Sequence, residues 1–321
     1  MKKLLFIRSV NFDPIKFSKE NIMYDFYCLL ARELSRYYVM EVLIQNKNEA
    51  SIVNLVDEKN FTINVVPNFL EYPRKADILF SRGGNESCNN YVNNMNIPVR
   101  AFYGACNIIE PDNKNFNLVF TSDRGYPGKM SHRSNRLYAL MLKSCDHNVW
   151  KPLGLDKEYD IIHVANINRS AKNHNLFFNT VRELNLKAVA VGYRDRETEE
   201  MADGLNIEFT GHLSYQEVNK YINKSKIGIV CTTNTDGPRV MQEILAAGTP
   251  VVAHSQEASS DVYIKPETGL LSNGDEFSSS VGKLLEIHDT LDTRSYFVEH
   301  FGIDIVAKYL FDIIEHFPIE R

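Results

Sequence analysis

Apolar runs alternate with amphipathic stretches along this chain, the pattern of an α/β protein with parallel sheets. In the first half, runs of Leu, Ile, Val and Phe predict strands at Lys3–Ile7, Val39–Ile44, Thr62–Val66, Asp77–Phe80, Val99–Tyr103 and Leu118–Thr121. Ile22, Phe26, Leu29, Leu30 and Leu34 recur at helical spacing and predict a helix over Asn21–Ser35. The second half reads as strand Tyr159–Ala165, helix Asn175–Leu184, strands Lys187–Gly192 and Asn206–Thr210, helix Tyr215–Asn223 and strand Ile227–Cys231. Ser214 and Glu217 form a capping box for the helix that starts at Tyr215. Strands at Asp261–Ile264 and Gly269–Leu271 and a helix near Glu276–His288 come next. Ile305, Tyr309, Leu310, Ile313 and Ile314 mark a last helix over about 303–317.

The densest segment is Asp236–Ala253, DGPRVMQEILAAGTPVVA. Pro238 suits the first helical position, where a missing N–H costs nothing. Val240, Met241, Ile244, Leu245 and Ala247 give one apolar face, and Gly248 supplies a C-terminal stop. Thr249–Ala253 then reads as an interior strand. Glu243 lies within this otherwise apolar helix, and a carboxylate buried there needs a partner. Arg239, one turn earlier, is one candidate; a ligand is the other. The turn Thr235–Arg239 opens the helix with unsatisfied N–H groups, which together with the helix dipole favour an anion. Asp236 reads either as an N-cap or as a ligand contact.

Composition narrows the function classes. With 321 residues, 44% of them hydrophobic, the chain suffices for two domains of roughly 150 residues. A net charge of −5 gives no footprint of a nucleic-acid binder. The five cysteines are scattered without metal-like spacing, as expected of reduced thiols. Neither a leader nor a membrane span is read from the sequence, so a soluble, cytoplasmic protein is expected.

Glu243, Ala246, Gly248, Pro250 and Val251, preceded by Asp236, Gly237 and Pro238, resemble the donor-binding signature of GT-B glycosyltransferases, especially the family 4 group (glycosyl transferases group 1). The resemblance implies two Rossmann-like domains facing across a cleft. Pro152-Leu153-Gly154-Leu155-Asp156 resembles the hinge segment of that family, which puts the boundary at 153: an acceptor-side domain over 1–153 and a nucleotide-sugar domain over 154–321. The last helix is expected to pack back on the first domain. In the family, the Glu at the place of Glu243 accepts hydrogen bonds from the ribose hydroxyls of the donor. Lys172 matches the Lys of a Gly-Arg-x-x-x-x-Lys loop that holds the diphosphate. Arg169 stands as a shifted substitute for the Arg, and Asn166 occupies the Gly-Arg region. The acid at Asp236 implies contact with the donor sugar. The family has seven residues between its two acids, whereas six separate Asp236 from Glu243. Arg239 and Val240 belong to the same donor-binding turn, and Gly211 and His212 resemble the turn beside the nucleobase.

On the acceptor side, Gly83, Gly84 and Glu86 come after a predicted strand, where ligands bind in open α/β sheets. Tyr103 stands where many relatives carry a His. Glu86, Tyr103, Asp123 and His132 are candidates for acceptor contact or base work. The Gly-Gly pair that usually precedes the first helix is replaced by Ser18–Asn21. The implied activity is glycosyl transfer, of a hexosyl or other group, from a nucleotide diphosphate-sugar to a glycan, lipid-linked or small-molecule acceptor. The resemblance implies retention at the anomeric carbon, no metal and no resident cofactor, and it leaves room for peripheral membrane association. Two other readings share the nucleotide site: a nucleotide-sugar epimerase or hydrolase, and a non-catalytic binding module.

Overall fold

The computed structural model describes residues 1–9, 17–72, 75–82, 86–104, 116–122, 137–165, 172–192, 196–233, 239–257 and 259–317. The chain divides into two compact units: Met1–Lys143 with Ile303–Arg321, and Ser144–Gly302.

In the first unit, strands β1 (Lys3–Ser9), β2 (Val39–Gln45), β3 (Val53–Glu58), β4 (Phe61–Val66), β5 (Ile78–Arg82), β6 (Val99–Gly104), β7 (Leu118–Thr121) and β8 (Leu137–Leu140) form one sheet in the order β3-β4-β2-β1-β5-β6-β7-β8. Every neighbouring pair is parallel except β3 with β4. The inner strands are buried on both faces, which is why they read as continuous apolar runs, whereas β3 and β8 are partly exposed. Leu4, Phe6, Phe80 and Phe120 join a core with the helix Phe26–Leu34, while Leu5, Ile7, Leu79 and Val119 join one on the other face. The helix begins at its N-cap Asp25, whose carboxylate accepts from Tyr27 N and Cys28 N. Its N-terminal end is thus later than the periodicity predicts, with a 3-10 turn at Ile22–Tyr24 before it.

The final helix, Ile303–Glu315, lies in the first unit. Ile303, Val306, Ala307, Leu310 and Ile314 enter the core of the Phe26–Leu34 helix. Glu315 holds the position by accepting from Tyr38 Oη at 2.8 Å and pairing with Lys2 at 2.6 Å.

The second unit holds β9 (Tyr159–Val164), β10 (Ala188–Val191), β11 (Ile207–Gly211), β12 (Ser225–Val230), β13 (Val251–His254) and β14 (Gly269–Ser272), all parallel, in the order β11-β10-β9-β12-β13-β14. The chain winds outward from β9 in one direction and then, from β12, in the other. Such a reversal opens a crevice at the carboxyl ends of the two central strands. β1 and β5 make the same reversal in the first sheet.

Two elements depart from the sequence pattern. Asp261–Ile264, predicted as a strand, lies in a one-turn helix, Ser260–Tyr263, ending at Ile264. Four residues with two β-branched members suit either state, and the turn is fixed instead by Ser260 Oγ donating to Glu257 O and by Lys265 Nζ donating to Asp261 O. Glu86, read as the last residue of a glycine-rich loop, is the first residue of a helix, Glu86–Asn93. Among the described residues no helix is long and apolar enough to cross a membrane.

Candidate functional site

The carboxyl edge of the second sheet gathers the residues that the sequence singled out. β12 delivers the chain to Val230–Thr232, and the described chain resumes in the helix Arg239–Ala246. That helix packs directly on β12. A Cβ added at Gly228 would stand 2.8 Å from Ile244 Cγ2 and 2.9 Å from Cδ1, so glycine is what lets helix and strand approach this closely. Gly248 stops the helix at φ +82°, a conformation that glycine adopts without strain. Arg294 closes the C-terminal end: its guanidinium donates to Ala246 O, to Trp150 O at 2.9 Å and to His147 O at 2.7 Å.

Glu243 is carried on this anchored helix and is 6% exposed. Its Oε1 accepts from Arg239 Nε at 2.8 Å. Burial pushes its carboxyl above the ordinary carboxylate range, and the Arg239 guanidinium opposes that shift. Cys145 lies close by, donating from Sγ to Gln242 O at 3.4 Å; burial and the Glu243 charge push its thiol well up. The sequence left open whether Arg239 or a ligand satisfies Glu243. The structure shows the Arg239 pair, which among the described residues engages one carboxylate oxygen.

Across the crevice, β9 contributes His163, 2% exposed and stacked on Phe177 at 4.9 Å. Its Nδ1 faces Ile229 O on β12 at 3.4 Å. Burial, with the neighbouring His174 and Lys172, pushes its pKa down to about 3, so the ring is neutral. Lys172 is thus within electrostatic reach of the end of β9, just ahead of the helix His174–Leu184. Gly211 ends β11 at φ +70° and accepts from Gly192 N at 3.0 Å, and the next residue, His212, is exposed.

Asn166, Arg169, Asp236, Gly237 and Pro238 lie outside the described residues, as do Gly83, Gly84, Asp123 and His132. The structure therefore brings Glu243, Arg239, Val240 and Lys172 to one edge of one sheet, with Gly211 and His212 at the end of its β11. In the first unit Glu86 opens the helix Glu86–Asn93, and Tyr103 is fully buried with its hydroxyl 3.2 Å from Ser122 Oγ. His163, near the end of β9, is a buried polar residue that sequence reasoning did not single out. A polar residue inside the apolar run Tyr159–Ala165 was the signal. Among the described residues no group of three or more His, Cys, Asp or Glu is placed to hold a metal ion.

Residues 158–287 match the model of the glycosyl transferases group 1 family. This segment runs from the start of β9 to the end of the helix Phe277–Ile287 and contains the whole edge described above. No curated protein matches the chain. Among solved structures, sucrose-phosphate synthase from Thermosynechococcus elongatus superposes with a TM-score of 0.76 at 12% identity, covering 98% of both chains. The Anabaena protein Alr3699/HepE, in complex with UDP and glucose, gives 0.68 at 11% identity over 98% of this chain and all of its own. A glycosyltransferase from Rickettsia africae gives 0.70 at 12% identity over 98% of both. At such identities the likeness is one of fold. The chain has the GT-B fold, and its residues 158–287 are similar to the glycosyl transferases group 1 family.

Proposed function

We propose that the chain transfers a glycosyl group from a nucleoside diphosphate-sugar to an acceptor hydroxyl. The observation that carries this reading is Glu243: a buried carboxylate on a helix locked to the central strand, inside the segment that matches the family. A buried carboxylate can take both vicinal hydroxyls of a ribose through charge-assisted bonds, which are the stronger kind. Arg239 orients it for that role.

In the reaction the bond from the anomeric carbon to the diphosphate breaks and a bond to the acceptor oxygen forms. The acceptor hydroxyl gives up its proton to the departing diphosphate oxygen, and the nucleoside diphosphate leaves. Lys172 and Arg169 would neutralise the charge that develops on the departing diphosphate, and Asp236 would face the donor sugar. Because side-chain cations supply this neutralisation, chelation of divalent ions by EDTA should leave transfer unchanged. Retention at the anomeric carbon belongs to the same proposal, and proton NMR of the first-formed product would read it. So does a cytoplasmic setting, which suits the scattered cysteines and a nucleotide-sugar donor.

UDP-glucose is the first donor to test, since Alr3699/HepE was solved with it. Calorimetric titration of UDP and UDP-glucose into the wild type and Glu243→Ala tests the site directly. We expect the variant to bind about 100-fold more weakly, from losing two bonds to a charged group of roughly 1.5 kcal/mol each. Equal affinity in wild type and variant would remove Glu243 from the donor site.

A further inference from the structure

The segment through which the chain enters the second unit is fastened to the helix that carries Glu243. That unit begins at Ser144 and ends at Gly302. Cys145 Sγ donates to Gln242 O at 3.4 Å, and four residues further along the helix Ala246 O accepts from Arg294. Residues four apart are neighbours on one side of a helix, so both contacts fall on the same side of Arg239–Ala246, and Glu243 follows the first of them in the chain. The same Arg294 guanidinium donates to His147 O at 2.7 Å and to Trp150 O at 2.9 Å, both in the entry segment. Pro152 comes close behind: a Cβ at Gly248 would stand 3.3 Å from Pro152 Cγ and 3.5 Å from Arg294 Cβ. Arg294 lies in the first turn of the helix Thr293–Phe301, and at the far end of that helix Phe301 O accepts from Ser144 Oγ. The helix Thr293–Phe301 therefore splints the entry segment at both ends. Through one side chain it also holds the helix of Glu243.

The carbonyls at the end of the Glu243 helix explain the choice of arginine. Glu243 O accepts from Ala247 N at 3.1 Å, Ile244 O from Thr249 N at 3.2 Å and Leu245 O from Gly248 N at 3.0 Å. Ala246 O comes next, and Arg294 meets it. A cation at this end also faces the negative pole of the helix dipole. Three carbonyls from two segments converge on one group. A planar guanidinium, with five donors in a fixed fork, can hold all three at once, whereas a lysine offers a point charge on a flexible stem. The hydrogen bonds of Arg294 among the described residues all go to main-chain carbonyls. Its charge thus serves to fix backbone, and part of the backbone it fixes bears Glu243. A coupling between two places is reciprocal. Whatever order the entry segment lends to the helix, a ligand held by the helix lends back to the entry segment.

We propose that Arg294 is a positioning residue for Glu243, and that it makes donor occupancy at Glu243 and order in the entry segment 144–150 respond to each other. That the ligand is a nucleoside diphosphate rests on the transferase reading above; the link between segment and helix does not. The test is hydrogen exchange of the full chain with and without UDP, together with calorimetric titration of UDP, on the wild type, Arg294→Lys and Arg294→Met. The amides of Val149 and Trp150, which donate to Asp146 O, report on the entry segment. In the wild type UDP should slow exchange over 144–150 by about fivefold or more. Arg294→Met should remove that response and weaken UDP binding about tenfold, the loss of a charge-assisted bond to the helix end. Arg294→Lys, which keeps the charge and loses the fork, should fall between. An arginine with a structural role alone would lower the melting temperature and leave both the response and the UDP affinity of the folded protein as they were. A folded Arg294→Met that binds UDP as the wild type does would overturn the proposal, and so would a wild type whose segment 144–150 exchanges alike with and without bound UDP. If Arg294→Met does not fold, the wild-type response and Arg294→Lys decide. If UDP does not bind the wild type, the donor reading fails by itself and the ligand-free comparison decides the link. There Arg294→Lys should speed exchange over 144–150 and 239–248 together, and a change in one of them only would refute it.

Discussion

The two sheets share one kind of reversal, yet they arm their carboxyl edges differently. In the first sheet the charges sit in the strands: Arg8 and Arg82 occupy facing register positions of β1 and β5. In the second the strand ends are small or apolar, Val164 facing Val191 and Val230 facing Ala253, and the charged groups come later in the chain. There Glu243 and Arg239 ride on a helix, and Lys172 precedes another. The central strand of the first sheet ends in a buried cation, whereas that of the second carries a neutral histidine. A strand residue is pinned by two ladders of hydrogen bonds, so the first edge offers a fixed charge. A helix residue is pinned only as well as its helix packs, so the second edge depends on how β12 receives the helix Arg239–Ala246.

That difference can be broken at graded levels. The largest effect is expected from Glu243→Ala, about 100-fold in donor affinity by calorimetry. Unchanged donor affinity would mean that this edge does not hold the donor. Gly228→Ala touches no charged group. Its Cβ would meet the β-branched Ile244 at 2.8 Å, which cannot swing aside without moving the helix. Overpacking of this kind costs about 1–3 kcal/mol, and donor affinity should fall roughly in step, by about tenfold. A stable Gly228→Ala protein with wild-type donor affinity would show that the helix is not the determinant.

The neutral histidine gives a pH signature. His163 has a folded pKa of about 3, below the value near 6.5 of an unfolded chain. Protonation therefore favours unfolding: stability is full above about pH 6.5 and is lost as pH falls toward 3, by up to about 1.4 kcal/mol per pH unit. His163→Phe keeps the stack on Phe177 and should flatten that part of the curve in urea melts run from pH 7 to 4.5. Parallel curves for the two proteins would deny the histidine this role. The smallest effect is expected at Ser214, whose hydroxyl accepts from Glu217 N and whose own N–H donates to Glu217. Ser214→Ala should lower stability by about 1 kcal/mol, without changing affinity for the donor.

Much of the fold was legible because the parallel strands are buried on both faces and announce themselves as apolar runs. β3 was not, since Val53, Asn54, Leu55, Val56, Asp57 and Glu58 make a half-exposed edge strand with a register shift at Asn54/Val56. β8, with Leu137 exposed and its other residues half-buried, lacks the same signal. The helix Arg196–Met201 is nearly all polar and has no apolar stripe to find. The donor edge was readable because its residues fall in one contiguous stretch whose spacing has a helical meaning. The cationic edge was not, because Arg8, Arg82, Tyr103 and Lys143 are brought together only by strand register. Of these, Tyr103 alone was singled out from sequence. Arginine directly after Phe6-Ile7 and again after Phe80-Ser81 was the available sign, a charge closing an apolar run at two neighbouring strand ends.

β3 contributes to neither charged edge. It is the antiparallel strand in a sheet otherwise parallel, and it lies outermost, against β4. It takes up the open ladder of β4, a strand whose Phe61, Ile63, Val65 and Val66 are buried. It offers in return a short, bulged margin ending in Asp57 and Glu58, the kind of rim that resists pairing with another chain. A chain trimmed of Val53–Glu58 would keep every residue of both charged edges and bare the rail of β4. Its shelf life in concentrated solution, rather than its affinity for any small molecule, is what that strand protects.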